Sequence, residues 1–202
     1  EAYRCGHDGW DQDGKDITLR NCVTYSNGWL GQPKHGIKFW NKNVHVYNMI
    51  VYDIESPGVG VEIAGGRNVW IWNSIIYKCP SAAIRNGTGG IVHLRNTIVS
   101  DCGAVAQGGN YAPLTSSDYN LYFNIKGKVP SDANSITGDP LFVDPEKGNF
   151  ALKSTASPAI NKGTAGDSAA GENAPSTDFL LAPRIGAPDI GAGGQVTSWR
   201  EL

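Results

Sequence analysis

The sequence predicts an all-β chain wound as a parallel β-helix, a solenoid of short strands, and three observations carry that prediction. The first is a column of asparagines, Asn21, Asn48, Asn73 and Asn96, separated by 27, 25 and 23 positions. The second is the alternating apolar pattern around each of them: ITLRNCV, VHVYNMIV, VWIWNSII and VHLRNTIV. The third is another column 10 or 11 residues earlier, Asp11, Lys38, Glu62 and Arg85, each directly after an apolar residue (Trp10, Ile37, Val61, Ile84). Two columns that keep step through coils of unequal length mark a structural repeat. A repeat of about 20–30 residues built from short period-two runs is a solenoid rather than a sandwich.

In a strand, Ile17 and Leu19, Val44 and Val46, Val69 and Ile71, and Val92 and Leu94 share one face, which is then the interior. Asn tolerates the left-handed conformation that bends a chain between strands, and its amide can bond to the Asn one coil above. The Asn column is therefore expected at a corner, without a role in chemistry. Right-handed parallel β-helices of the pectate lyase type are built this way, and roughly residues 8–125 resemble them. Tyr25, Tyr52 and Tyr77, each four after its Asn, are expected to stack. Cys79 and Cys102, each six after its Asn, are expected about 4.8 Å apart. That spacing is compatible with a disulfide or with two buried thiols, and the thiols are favoured. Cys5 and Cys22 remain unassigned, and no zinc-type spacing occurs.

With 202 residues, 40% of them hydrophobic, the chain can bury one sizeable core. A net charge of -2 gives no electrostatic reason for a nucleic-acid or anionic-membrane partner. No apolar run is long enough to insert across a bilayer, and no signal peptide is recognised. The single Met is Met49, so Glu1 is not a natural start and the β-helix is expected to be N-terminally truncated. An uncapped first coil is expected to self-associate through its strand edge, or to leave about the first ten residues disordered.

The entry coil holds Asp8, Asp11, Asp13 and Asp16, which are either turn residues or oxygen donors for a hard cation such as Ca²⁺. Lys38 follows inward Ile37 and should face out in line with Asp11. The stretches HDGWD (His7 to Asp11), NCVTYSNG (Asn21 to Gly28) and HGIKFW (His35 to Trp40) resemble the family-nine pectate lyases. That resemblance implies Asp8 and Asp11 as calcium ligands and Lys38 as the catalytic base. His7 stands where the family has a further ligand Asp. The implied activity is calcium-assisted β-elimination on polyuronate chains, with the fragment itself expected to be inactive even where its parent is a lyase. Such elimination removes the C5 proton, α to a carboxylate, and needs that carboxylate neutralised and a base with an accessible neutral form. Glu62, one coil from Lys38, would favour the charged lysine.

The same reading assigns an acidic polysaccharide as partner, with Arg85, His45, Tyr47, Trp70 and Trp72 as its contacts. His45 with Tyr47, and Trp70 with Trp72, lie at outward positions, followed by His93 and Arg95. Such aromatics either stack on the apolar faces of sugar rings or lie under a loop or a missing neighbour. The alternative function is a non-catalytic extracellular glycan-binding or cell-surface β-helix, with Asp11, Lys38, Glu62 and Arg85 as a charge ladder between strands. A glycoside hydrolase has little support, since Glu62 lacks an acidic partner in register.

Residues 1–125 are read as the coils and 126–202 as an irregular capping module. GDPLFVDPEKGNFALKSTASPAINKGT and DFLLAPRIGAPDIGA, within Gly138 to Ala192, resemble the choice-of-anchor Q domain that follows bacterial secreted β-helices. This implies a secreted or cell-surface bacterial protein whose tail closes the open end of the solenoid. Asp178, Arg184 and Asp189 are expected to form a structural polar network, and Gly163 to Ser176 a mobile loop. Asn86-Gly87-Thr88 matches a glycosylation acceptor, a short pattern frequent by chance.

Overall fold

The computed structural model describes residues 1–31, 34–40, 42–65, 68–110, 112–153, 156–167 and 171–193. Three parallel sheets form the walls of a solenoid of about five coils, each coil giving one strand to each wall. Sheet A stacks Ala2–Tyr3, Val23–Tyr25, Ile50–Tyr52, Ile75–Tyr77, Ile98–Ser100, Leu121–Phe123 and Ile136–Thr137. Sheet B stacks Trp10–Gln12, His35–Phe39, Val59–Ile63, Ala82–Asn86 and Ala106–Gly108. Sheet C stacks Ile17–Arg20, Val44–Tyr47, Val69–Trp72, Val92–Arg95 and Ser116–Asp118.

The corners follow from residues that accept a positive φ. Asn21, Asn48, Asn73 and Asn96 turn the chain from sheet C to sheet A at φ 46–53°. Asp16, Asn43 and Asn68 make the corner from B to C, while Ser26, Asp53, Lys78, Asp101 and Asn124 end the sheet A strands. Apart from Lys78 these are short polar side chains, which suit such positions because they can bond locally to the backbone. The register is as the sequence implies, with Arg20, Tyr47, Trp72 and Arg95 paired coil to coil just before each Asn.

Between the walls lies a core of Ile37, Phe39, Val46, Val61, Ile71, Ile84, Leu94 and their neighbours. Cys79 and Cys102 sit in it as free thiols, and burial pushes the Cys79 thiol up. Burial also removes Asn86 as a glycosylation acceptor, since its Nδ2 donates inside to Gly90 O at 2.8 Å.

From Phe142 onward the C-terminal segment lies lengthwise on the outer face of sheet A and builds a second core there. Ile50, Ile75, Ile98 and Leu121 pack against Phe142, Phe150, Leu152, Ala159, Ile190 and Ala192. The tyrosine column is split by this contact. Tyr3, Tyr25 and Tyr52 stack at 5.2 and 4.7 Å, whereas Tyr77 meets Phe150 edge-on at 5.5 Å and donates to Glu146.

The same segment takes up the corner amides. Asn21 Nδ2 donates to Asp178 O and Phe179 O, Asn48 to Thr177 O, Asn73 to Asp189 O and Asn96 to Thr164 O. Within the Asn column one amide bond joins neighbours, Asn96 Nδ2 to Asn73 Oδ1 at 3.2 Å. Asp178 accepts from the amides of Leu180 and Ala182, Asp189 from that of Asn161, and Arg184 donates to Asn48 Oδ1. These three residues therefore serve the docking of the segment. Where a loop was expected, Gly166–Asp167 pairs antiparallel with Glu172–Asn173, and 168–170 lie outside the described residues.

Candidate functional site

The charged column of the sequence lies on the outer face of sheet B. Asp11, Lys38, Glu62, Arg85 and Gln107 pair in register from coil to coil, so their side chains form one row. Asp8 joins them from the turn before Trp10, held by the bond from Gly9 N to His35 O at 3.0 Å.

His35 is the member that sequence reasoning missed. Strict alternation puts it inward with Ile37, yet its ring meets Asp8, Glu62 and Arg85 on the outside. The cause is two successive inward residues. Gly36 faces the core, where an added Cβ would lie 2.4 Å from Val51 Cγ1, and Ile37 follows it into the same core. Gly60 and Val61 repeat the device one coil on. The signal available beforehand was the recurring Gly before an apolar inward residue, GIK and GVE.

The contacts are specific. His35 Nδ1 lies 2.7 Å from Asp8 Oδ1, and its Nε2 lies 2.9 Å from Arg85 Nη2 and 3.9 Å from Glu62 Oε2. Arg85 Nε donates to Glu62 Oε2 at 2.5 Å. Lys38 Nζ stands 3.9 Å from Asp8 Oδ2 and 4.3 Å from the centre of the Trp40 ring, a cation over a π face. Trp40 Nε1 in turn donates to Asp11 Oδ1 at 2.8 Å. Glu62 is thus committed to Arg85, and the carboxylate nearest Lys38 is Asp8. His35 and the Asp8 and Glu62 carboxylates are almost wholly buried. Lys38 keeps 15% and Arg85 41% of its side chain exposed. Beside them, Asp11, Asp13 and Trp40 line an open depression, and Trp40 is 45% exposed.

Asp8 and Asp11 offer the hard oxygens calcium takes, but a calcium shell holds about six to eight of them. Among the described residues, no group of three or more His, Cys, Asp or Glu side chains could hold a metal ion. Two carboxylates supply only part of such a shell, and Asp8 already has Oδ1 bonded to His35 and Oδ2 turned toward Lys38.

One of the aromatic contacts expected on sheet C, Trp72, requires correction. Trp72 is 0% exposed, so it offers no face to a sugar. Its column neighbours explain why: Tyr47 donates to Glu172 Oε2 at 2.6 Å and Arg95 pairs with Asp167 at 2.7 Å, both on the C-terminal hairpin that covers the row. Burial and the Glu172 carboxylate push the Tyr47 phenol up. Trp70 is only partly buried, but His45 stacks on it at 4.6 Å and His93 at 5.8 Å, so its faces are already occupied. His45 also pairs with Glu172 at 3.2 Å. These aromatics lie under or beside a covering segment, which is the second of the two arrangements expected for them. They belong to sheet C, a different wall from Lys38 and Arg85. No family model matches this chain, and no similar sequence was found among curated proteins.

Proposed function

We propose that the outer face of sheet B binds an acidic polysaccharide of the polyuronate class and cleaves it by β-elimination. The observation that carries this reading is Lys38. Its amine is held between Asp8 and Trp40 at the edge of an open depression, with Arg85 in the same row two strand spacings away, about 10 Å. Lys38 takes the C5 proton; the electron pair forms the C4–C5 double bond, and the bond from C4 to the glycosidic oxygen breaks. Solvent water protonates that leaving oxygen. Arg85 pairs with a uronate carboxylate through its exposed edge. Calcium at Asp8 and Asp11, shared with the substrate, would neutralise the carboxylate next to C5. A polymer of this kind lies outside cells, so the reading implies a secreted or cell-surface protein.

Charge supports a second reading. Asp8, Asp11 and Glu62 outnumber Lys38 and Arg85, and both cations already have carboxylates nearby. A row so balanced also serves as a structural charge ladder on a non-catalytic glycan-binding β-helix. Absorbance of unsaturated product from polygalacturonate at alkaline pH, with calcium and with chelator, separates the two. Product that depends on calcium and disappears in Lys38→Ala supports elimination. Activity unchanged in Lys38→Ala, or its absence from wild type under both conditions, ends that assignment.

A further inference from the structure

We infer that His35 is a positioning residue that couples Asp8 to Arg85, so that the carboxylate beside Lys38 and the uronate-binding guanidinium are set as one unit. The inference rests on the polyuronate reading of the sheet B face. A guanidinium donates and never accepts, so at 2.9 Å from Arg85 Nη2 the His35 Nε2 is the acceptor. The ring proton of the neutral imidazole is then on Nδ1, donated to Asp8 Oδ1 at 2.7 Å. One oxygen of Asp8 is fixed by that bond, and the other, Oδ2, is the atom turned toward Lys38.

Arg85 is fixed from the opposite side as well. Its Nε donates to Glu62 while its Nη2 donates to His35, which engages two of the three guanidinium nitrogens. The side chain nevertheless keeps 41% of its surface exposed. A planar fork held at two nitrogens presents its remaining edge in one orientation, and less freedom is lost when a carboxylate arrives. At 3% exposure His35 does not itself reach a polymer chain. It acts through Asp8 and Arg85.

The test combines binding with a spectroscopic signature. In ¹⁵N-histidine-labelled protein, the signal of His35, assigned among the four histidines by its loss in His35→Gln, should show a protonated Nδ1 and a bare Nε2. Arg85→Ala should move that Nε2 signal. Titrated with a short oligogalacturonate in calcium buffer, His35→Ala should bind about tenfold more weakly than wild type, the size of one lost bond to a charged group. His35→Gln, whose amide has both a donor and an acceptor, should stay within about threefold of wild type. A His35→Ala affinity equal to wild type overturns the positioning role. A proton on Nε2, or an Nε2 signal indifferent to Arg85→Ala, overturns the coupling independently of the titration. Wild type that binds no oligogalacturonate overturns the polyuronate reading and the ligand-positioning role with it, while the spectrum still decides whether Asp8 and Arg85 are linked.

Discussion

Glu62 and Arg85, neighbours in one row of sheet B, are bonded through Oε2 and Nε at 2.5 Å, and this pairing leaves Lys38 to Asp8. Glu62 is therefore the anchor of the guanidinium rather than the counterion of the lysine. Glu62→Gln is expected to weaken oligogalacturonate binding by about tenfold, the scale of a charged hydrogen bond, with kcat changed much less than KM. A Glu62→Gln enzyme with higher kcat at unchanged KM would show that Glu62 acts on Lys38 instead.

Asp8 is the complementary case. Asp8→Asn keeps an oxygen that can accept from His35 Nδ1 but removes the negative charge through which Asp8 would hold calcium. Elimination should fall steeply, and calcium should no longer raise the rate. Kinetics over a calcium series check this, and a calcium response retained in Asp8→Asn would remove Asp8 from the ligand set.

Trp72 is expected to behave as a core residue. Trp72→Ala should cost about 3–5 kcal/mol in urea unfolding, whereas a surface tryptophan truncated on a sugar platform would cost far less. A loss below about 1 kcal/mol would mean that the hairpin carrying Asp167 and Glu172 does not cover the row.

Glu146 supplies a pH dependence. Hydrogen bonds from Lys78 and Tyr77 hold its carboxyl below the usual glutamate value of 4.5. A carboxyl depressed in the fold adds stability above its unfolded value, and that stability is lost as pH falls through the lower folded value. Because the side chain is 61% exposed, the effect is small, at most about 1 kcal/mol. Glu146→Gln should melt slightly below wild type at neutral pH, and the gap should close at acid pH. A gap that is constant across the titration would assign the difference to packing.

The coils were legible because their signals are local. Ile17, Leu19 and Asn21 fall within one strand and its corner, and the same spacing recurs three more times. Lys38 and Arg85 could be placed on one row by counting from each Asn. His35 could not, because alternation breaks where Gly36 and Ile37 both turn inward, and a two-residue inward step is invisible to a period-two reading. The fate of Trp72 was hidden for another reason. Its cover arrives from Asp167 and Glu172, about a hundred residues later, and no pattern around VWIW encodes a partner so distant. Tail composition suggested a cap, but whether it sat on an end or a flank depended on the apolar outer face of sheet A, Ile50, Ile75, Ile98 and Leu121.

Open solenoids lengthen readily, since a duplicated coil meets only its two neighbours. Here Thr164, Thr177, Asp178 and Asp189 of a single returning segment grip the corners of four different coils. A coil inserted between Asn48 and Asn73 would move those corners apart by one strand spacing, about 4.8 Å, and leave one end of the segment out of step. Coil number and tail length are thus locked together. Growth of this protein by repeat duplication would require a matching insertion more than ninety residues away, a paired event that makes the present number of coils hard to change.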